Sequence, residues 1–256
     1  MREARSWMDA AEAVARVAGE VALRHYQRGV TVETKSDGTP VSVADRQAEE
    51  AARAWLEKHC PEDGILGEEL GTTRPDAPRR WILDPIDGTK TFVRRVPLWG
   101  TLVALAEGEK VLAGAAYFPA VDEILVAAQG AGCLWNGKPA RVSGVSRLSE
   151  AVVLTTDARM GTPAQVAGLD ALCLRAGHVR TWGDCYGYLL VATGRAEVMT
   201  DALMAPWDAA ALQPIIEEAG GVFTDWNGRR TAFGGSTVAT NAALSAEVRT
   251  ALGGPR

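Results

Sequence analysis

The sequence is poor in sulfur and imidazole, with four cysteines and three histidines in 256 residues. Cys60, Cys133, Cys173 and Cys185 are scattered, with no CxxC and no Cys/His spacing, which argues against a zinc site and against a disulfide framework. They read as free, mostly buried thiols. His25, His59 and His178 fall in helices or beside a strand without a partner pattern, so no catalytic histidine is expected. The motifs GxSxG, GxxxxGK[ST], HExxH and a GxGxxG after a strand are missing, which leaves nucleophile-elbow hydrolases, P-loop enzymes, zincins and dinucleotide binders without support. No apolar run approaches the ~20 residues that span a bilayer. Residues 7–26 mix apolar positions with Glu12, Arg16, Glu20 and Arg24, unlike the uncharged core of a signal peptide, so a soluble cytoplasmic protein is the expectation. Positive charge is also scarce: 27 Lys plus Arg against 32 Asp plus Glu give a net charge of −5, and no long basic block offers a footprint for nucleic acid. A small anionic substrate stays open, because a cation held among carboxylates inverts the local field.

With 47% hydrophobic residues the chain can bury a large core, as one domain or two closely packed lobes. Residues 7–27 place Ala10, Val14, Val17, Ala18 and Val21 on one stripe of an amphipathic helix that Gly29 ends. After a turn at 36–40, a second helix is predicted over 42–59, with Ser42 and Asp45 spaced like a capping box and Pro61 closing it. Strand patterns follow at 65–66, 81–83, 99–106, 110–117 and 123–128, and Asn136-Gly137 marks a hairpin turn. The first half, about 1–148, thus reads as two helices against an antiparallel sheet. The second, about 149–256, alternates: strand 151–155, helix 163–176, strand 178–182, helix 185–193, strand 197–200, helix 207–219 and strand 222–226, an α/β texture. The two halves are expected to form one unit. Trp81, Trp99, Trp182 and Trp207 are expected to fill the core.

The chemistry lies in carboxylates. In Trp81-Ile-Leu-Asp84-Pro-Ile-Asp87-Gly88-Thr89 an apolar strand delivers Asp84 at its end, Pro85 stops the ladder, and Asp87-Gly88-Thr89 turns the chain. Two carboxylates, the Ile86 carbonyl and the N–H groups of Gly88 and Thr89 then lie close together, which suits a hard cation and a phosphate alike. An ordinary Asp-Gly turn would explain the same residues. Glu68, in Gly67-Glu68-Glu69 after a short strand, reads equally as part of a solvated acidic turn, and Asp208, in Pro206-Trp207-Asp208, as a helix-start aspartate. Three such groups in one chain point instead to a common metal site, in which two ions ~3.5–4 Å apart act on one phosphate.

Taken with the trailing Glu218-Ala-Gly-Gly221, these three motifs resemble, in order, those of the inositol monophosphatase-like, lithium-sensitive phosphatases. The resemblance implies a layered αβαβα sandwich of the α/β (α+β) class, hydrolysis of a small phosphorylated metabolite, two or three Mg²⁺ ions and a homodimer; from the lack of a long apolar run, no membrane partner is expected. By position, Glu68, Asp84 and the Ile86 carbonyl would hold one Mg²⁺ and Asp84, Asp87 and Asp208 another, with a weaker third near Glu68. Gly88 and Thr89 amides would hold the phosphate, and Asp45 would pair with the Thr89 hydroxyl to activate water. Asp201 and Asp184 would meet the organic part of the substrate. Segments 35–40, 87–92 and 183–194 look most like the histidinol-phosphate phosphatase branch, with Thr91 where serine is common and Arg94-Arg95 given no role. An inositol-1-phosphate or broad sugar-phosphate phosphatase is the alternative. A non-catalytic binding relative fits less well, because it has no need for the complete carboxylate set.

Overall fold

The computed structural model describes residues 2–28, 32–34 and 40–253, the strands at 32–34 and 40–42 by backbone alone. The predicted Gly29 stop, the turn at 36–40 apart from Pro40, and the Ser42 cap lie outside the described residues or side chains. Helix α1 (Arg2–Arg28) is followed by a small ribbon, β1 (Val32–Thr34) and β2 (Pro40–Ser42), and by α2 (Val43–His59). The buried face of α1 runs through Ala11, Val14, Ala15, Ala18 and Ala22, shifted from the stripe predicted from Val17 and Val21. Alanine on that face lets α1 lie close against α2 and the sheet beneath.

That sheet has eight strands: β3 (Gly64–Gly67), β4 (Gly71–Thr73), β5 (Arg79–Asp87), β6 (Gly100–Glu107), β7 (Lys110–Phe118), β8 (Glu123–Ala128), β9 (Gly132–Trp135) and β10 (Lys138–Pro139). It is mixed rather than antiparallel throughout, because β3 pairs parallel to β5. Asn136 and Gly137, both at positive φ, close the β9–β10 hairpin as predicted. The strands are apolar on both faces: Val103, Leu105 and Val126 face α1 and α2, while Leu102, Ala104, Phe118 and Leu125 face the opposite way.

The opposite face is covered by α5 (Cys185–Ala192), α6 (Pro206–Ala209) and α7 (Leu212–Glu218). Beyond these helices lies a five-stranded sheet in the order β12-β11-β13-β15-β14, from β11 (Val152–Leu154), β12 (His178–Arg180), β13 (Val198–Asp201), β14 (Gly221–Thr224) and β15 (Thr237–Asn241). Its outer face packs on α4 (Pro163–Cys173) and α8 (Ser245–Ala251). The order of layers is therefore αβαβα. The predicted single helix over 207–219 is two helices: Pro214 has no N–H to bond Ala210, and its ring collides with that carbonyl in a continuous helix, so the chain restarts at Leu212. Trp81 and Trp99 are core residues as expected, whereas Trp182 is 46% exposed and Trp207 only partly buried.

Candidate active site

Strand β5 does not stop at Pro85. It continues to Asp87 through a bulge in which the three steps from Asp84 to Asp87 oppose two steps on β6, from Leu102 to Gly100. Proline is tolerated there because a bulge leaves one residue out of the ladder. The Ile86 amide donates to Asp84 Oδ1 at 3.0 Å, and Thr101 Oγ1 donates to the Pro85 carbonyl at 2.8 Å. In a regular strand residues three apart point to opposite faces. The extra residue cancels that alternation and turns Asp84 and Asp87 toward each other: with Asp208 they offer ligand oxygens all within 4.8 Å of one another.

Glu68 reaches the same place from the parallel neighbour. Gly67 pairs with Leu83, and the Glu68 amide donates to the Leu83 carbonyl at 3.2 Å, so Glu68 and Asp84 leave adjacent strand ends side by side. Asp208 sits in the first turn of α6, where its Oδ2 accepts from the Ala205 amide at 2.8 Å. Asp45, 1% exposed on the first turn of α2, is near enough for its charge to act on Asp84. Gly88 takes φ +85°, a conformation glycine adopts without strain, and begins α3 (Thr89–Val93), whose first amides have no acceptor within the helix. The Thr89 hydroxyl donates to the Ile86 carbonyl at 3.1 Å and not to Asp45, the pairing that the resemblance implies. Phe92 of this helix meets Tyr26 at a tilt and Trp99 edge-on, which anchors the helix to the core.

The Asp184 and Asp201 carboxylates are more engaged than free substrate-binding groups. Asp184 caps α5 at φ +49°, accepts from Thr91 Oγ1 at 3.0 Å, and stands beside Gly88. Asp201, 5% exposed at the end of β13, accepts from the Thr156 amide at 2.9 Å and from the Tyr188 hydroxyl at 3.0 Å. Each oxygen retains a second lone pair for a further donor.

These groups surround an open cavity of about 370 Å³ lined by Glu68, Asp87, Asp184, Asp201 and Asp208, with Lys90 the only cation among the described lining residues. Burial, reinforced by Glu68, Asp87, Asp208 and Asp45, pushes the Asp84 carboxyl well above its ordinary range. Burial and the charge of Asp184 do the same to Asp87. Asp208 is raised to about 6 by burial and Glu68, against the Ala205 amide and a hydrogen bond with Asp84. Asp201 is raised to about 6 by burial, against its hydrogen bonds from Thr156 and Tyr188. So many oxygens, facing one another with so little compensating charge, suit a hard divalent cation.

Residues that the sequence pattern did not single out for this site complete the wall. Met160, Leu203, Met204 and Trp207 form its apolar side, and Thr156 holds both Asp201 and the Asp184 amide. None of the three histidines lines the cavity. Arg94 bonds the Lys90 carbonyl, and Arg95 accepts the Tyr26 hydroxyl through its backbone, so both act on the α3 turn. All four cysteines are free; Cys133 and Cys185 are buried, Cys60 and Cys173 only half-buried.

Residues 3–252 match the model of the inositol monophosphatase family. A histidinol-phosphatase of Chlorobaculum parvum is 42% identical over 243 residues, 94% of either chain. A histidinol-phosphatase of Mycobacterium tuberculosis is 40% identical over 230 residues, 86% of this chain and 87% of that one. Among solved structures, the extragenic suppressor protein suhB of Bartonella henselae superposes with a TM-score of 0.89 at 31% identity, covering 96% of this chain and 98% of that one. The αβαβα layers, the strand-end carboxylates and these similarities lead to one assignment: the chain belongs to the inositol monophosphatase family, a family of phosphatases.

Proposed function

We propose that the chain hydrolyses L-histidinol phosphate to L-histidinol and inorganic phosphate, as a Mg²⁺-dependent step of histidine biosynthesis. The observation that carries the metal dependence is the charge of the cavity. Five carboxylates and one lysine repel a phosphate dianion unless a multivalent cation reverses the local field. Glu68, Asp84 and the Ile86 carbonyl would hold one ion, Asp84, Asp87 and Asp208 a second, with a weaker third near Glu68. Bound there, the ions supply a water of lowered pKa and charge stabilisation of the leaving oxygen.

The rest falls to the chain's own groups. The Thr89 hydroxyl, its own O–H given to the Ile86 carbonyl, orients the attacking water through its oxygen, and Asp45 takes up the water's proton, while the Gly88 and Thr89 amides hold the phosphoryl oxygens. Water adds to phosphorus as the bond to the alcohol oxygen breaks, and that oxygen takes a proton from solvent water in the open cavity as it departs. No phosphoenzyme is needed. The leaving group is supported by two features: Asp184 and Asp201 suit its ammonium, and the wall of Met160, Leu203, Met204 and Trp207 suits an imidazole better than a polyol. The 42% identity to a histidinol-phosphatase favours the same substrate. A cytoplasmic homodimer belongs to this reading, and light scattering on the purified protein decides its assembly. The functional test is turnover of histidinol phosphate, inositol-1-phosphate and fructose-1,6-bisphosphate side by side with Mg²⁺. The highest kcat/KM is expected for histidinol phosphate, and a clear preference for either other ester overturns the substrate.

A further inference from the structure

Glu49 lies on α2 one turn beyond Asp45 and is 0% exposed, yet it does not line the cavity. A fully buried carboxylate needs partners, and Glu49 finds them in the turn that carries Glu68. Its Oε2 accepts from the Glu69 amide at 2.8 Å, and its Oε1 from the Leu70 amide at 3.2 Å. Its counter-ion comes from the next turn of the same helix: Arg53 Nε meets Glu49 Oε1 at 2.8 Å. The same guanidinium then crosses to the far strand of the hairpin, where it donates to Thr73 Oγ1 at 2.8 Å and to the Gly71 carbonyl. Spacings of four place Asp45, Glu49 and Arg53 on one face of the helix.

The approach is close enough to dictate the sequence of the turn. A Cβ built on Gly67 would stand 2.0 Å from Glu49 Oε1 and 2.4 Å from its Cδ, so only glycine allows the carboxylate to reach the amides beyond it. Gly67 and Gly71 pair across β3 and β4, leaving Glu68, Glu69 and Leu70 as the connecting turn. Two of its three amides are held by Glu49 and the third by the Leu83 carbonyl. A three-residue turn with every N–H fixed leaves the Glu68 backbone little freedom.

We infer that Glu49 and Arg53 are positioning residues for Glu68: a buried ion pair on α2 that fixes the β3–β4 turn and presents the Glu68 carboxylate to the cation site in advance of binding. The inference rests on the proposed role of Glu68 as a metal ligand. It makes α2 a common frame for two functions, with Asp45 toward the attacking water and Glu49 behind the ligand. Loss of a group that orients a ligand without touching the ion typically costs about 10- to 100-fold in metal affinity.

The test is Mg²⁺ titration calorimetry with Glu49→Gln, which keeps the side-chain size but presents an NH₂ to one of the two amides. Mg²⁺ affinity should fall roughly 10- to 100-fold, with circular dichroism unchanged. Amide exchange at Glu69 and Leu70 should quicken in the metal-free protein, a readout independent of turnover. Wild-type affinity with wild-type exchange overturns the inference. Should Glu49→Gln not fold, Arg53→Gln decides the matter, since it leaves the Glu49 carboxylate in place without its guanidinium. A smaller loss of Mg²⁺ affinity in that variant supports the inference, and an unchanged affinity overturns it. Failure of the wild-type protein to bind Mg²⁺ would instead refute the metal reading beneath it, so the two failures are distinct.

Discussion

Asp84 is buried among the charges of four other carboxylates, and the consequence of neutralising it has a definite sign. Asp84→Asn keeps the shape, removes one repelling charge and deletes the group shared by both proposed ion sites. Turnover should vanish, while the melting temperature of the metal-free protein stays level or rises. Activity within a few fold of wild type would refute the two-ion arrangement. Thr89 differs, because its hydroxyl is bonded to a carbonyl rather than held among the carboxylates. Thr89→Ala should lower kcat by roughly 10²-fold, the scale of a lost general-base contact, with Mg²⁺ affinity by calorimetry close to wild type. Normal kcat with weak metal binding would reverse that assignment. The carboxylates were legible in the sequence because Glu68, Asp84 and Asp87 stand where an apolar strand ends and Asp208 where a helix begins. Glu49 was not, since a glutamate four residues before an arginine on a helix looks the same whether the pair is solvated or buried.

Between elements, the start of α5 is tied to the rest of the cavity twice, by the Cys185 amide donating to Asp87 and by a contact from α3. Thr91 Oγ1 bonds Asp184, whose burial raises its carboxyl above the ordinary range even with that bond and the charge of Lys90 opposing it. Thr91→Val leaves a partly buried carboxylate without that donor and should cost about 1 kcal/mol in urea unfolding, along with a loss of turnover that Thr91→Ser restores. Equal stability of both variants would remove the contact from the account. At this scale the sequence was a partial guide. Strands β5 to β8 were visible because they are continuously apolar, α1 because its apolar positions recur at helical spacing, and α2 because a start signal and Pro61 bound it. The bulge in β5 was not visible, since Pro85 signals the end of a strand unless the partner strand is known. Nor was the break between α6 and α7, where a run of alanines reads as unbroken helix up to Pro214. Strand β15 and helix α8 carry no pattern distinct enough to separate them from the loops around them.

For the whole molecule, collecting acids in one cavity sets how stability depends on pH. Asp201 titrates near its ordinary 3.8 in the unfolded chain and at about 6 in the native one, and Asp208 moves in the same direction to about 6. Between those values the folded state holds more protons, so stability contributed by these groups is complete below about pH 4 and is lost as pH rises through about 6. For Asp201, a rise of about two units corresponds to roughly 3 kcal/mol. The metal-free protein should therefore melt at a lower temperature at about pH 7.5 than at about pH 5. Mg²⁺ should offset the difference, since a cation binds the deprotonated forms; at about 100 times its Kd it adds about 2.7 kcal/mol. A melting temperature indifferent to Mg²⁺ at neutral pH would refute the metal site. The middle layer has another consequence, this time for synthesis. Leu102, Ala104, Phe118 and Leu125 are covered by helices that begin at Cys185, so a nascent chain displays this greasy face until α5 and α7 have emerged. A fragment ending at residue 148 should bind a hydrophobic dye and sediment as aggregates, while the full chain does neither. During that interval on the ribosome the uncovered face is open to association with other chains, so a pause in translation before α5 should lower the yield of folded protein rather than its catalysis.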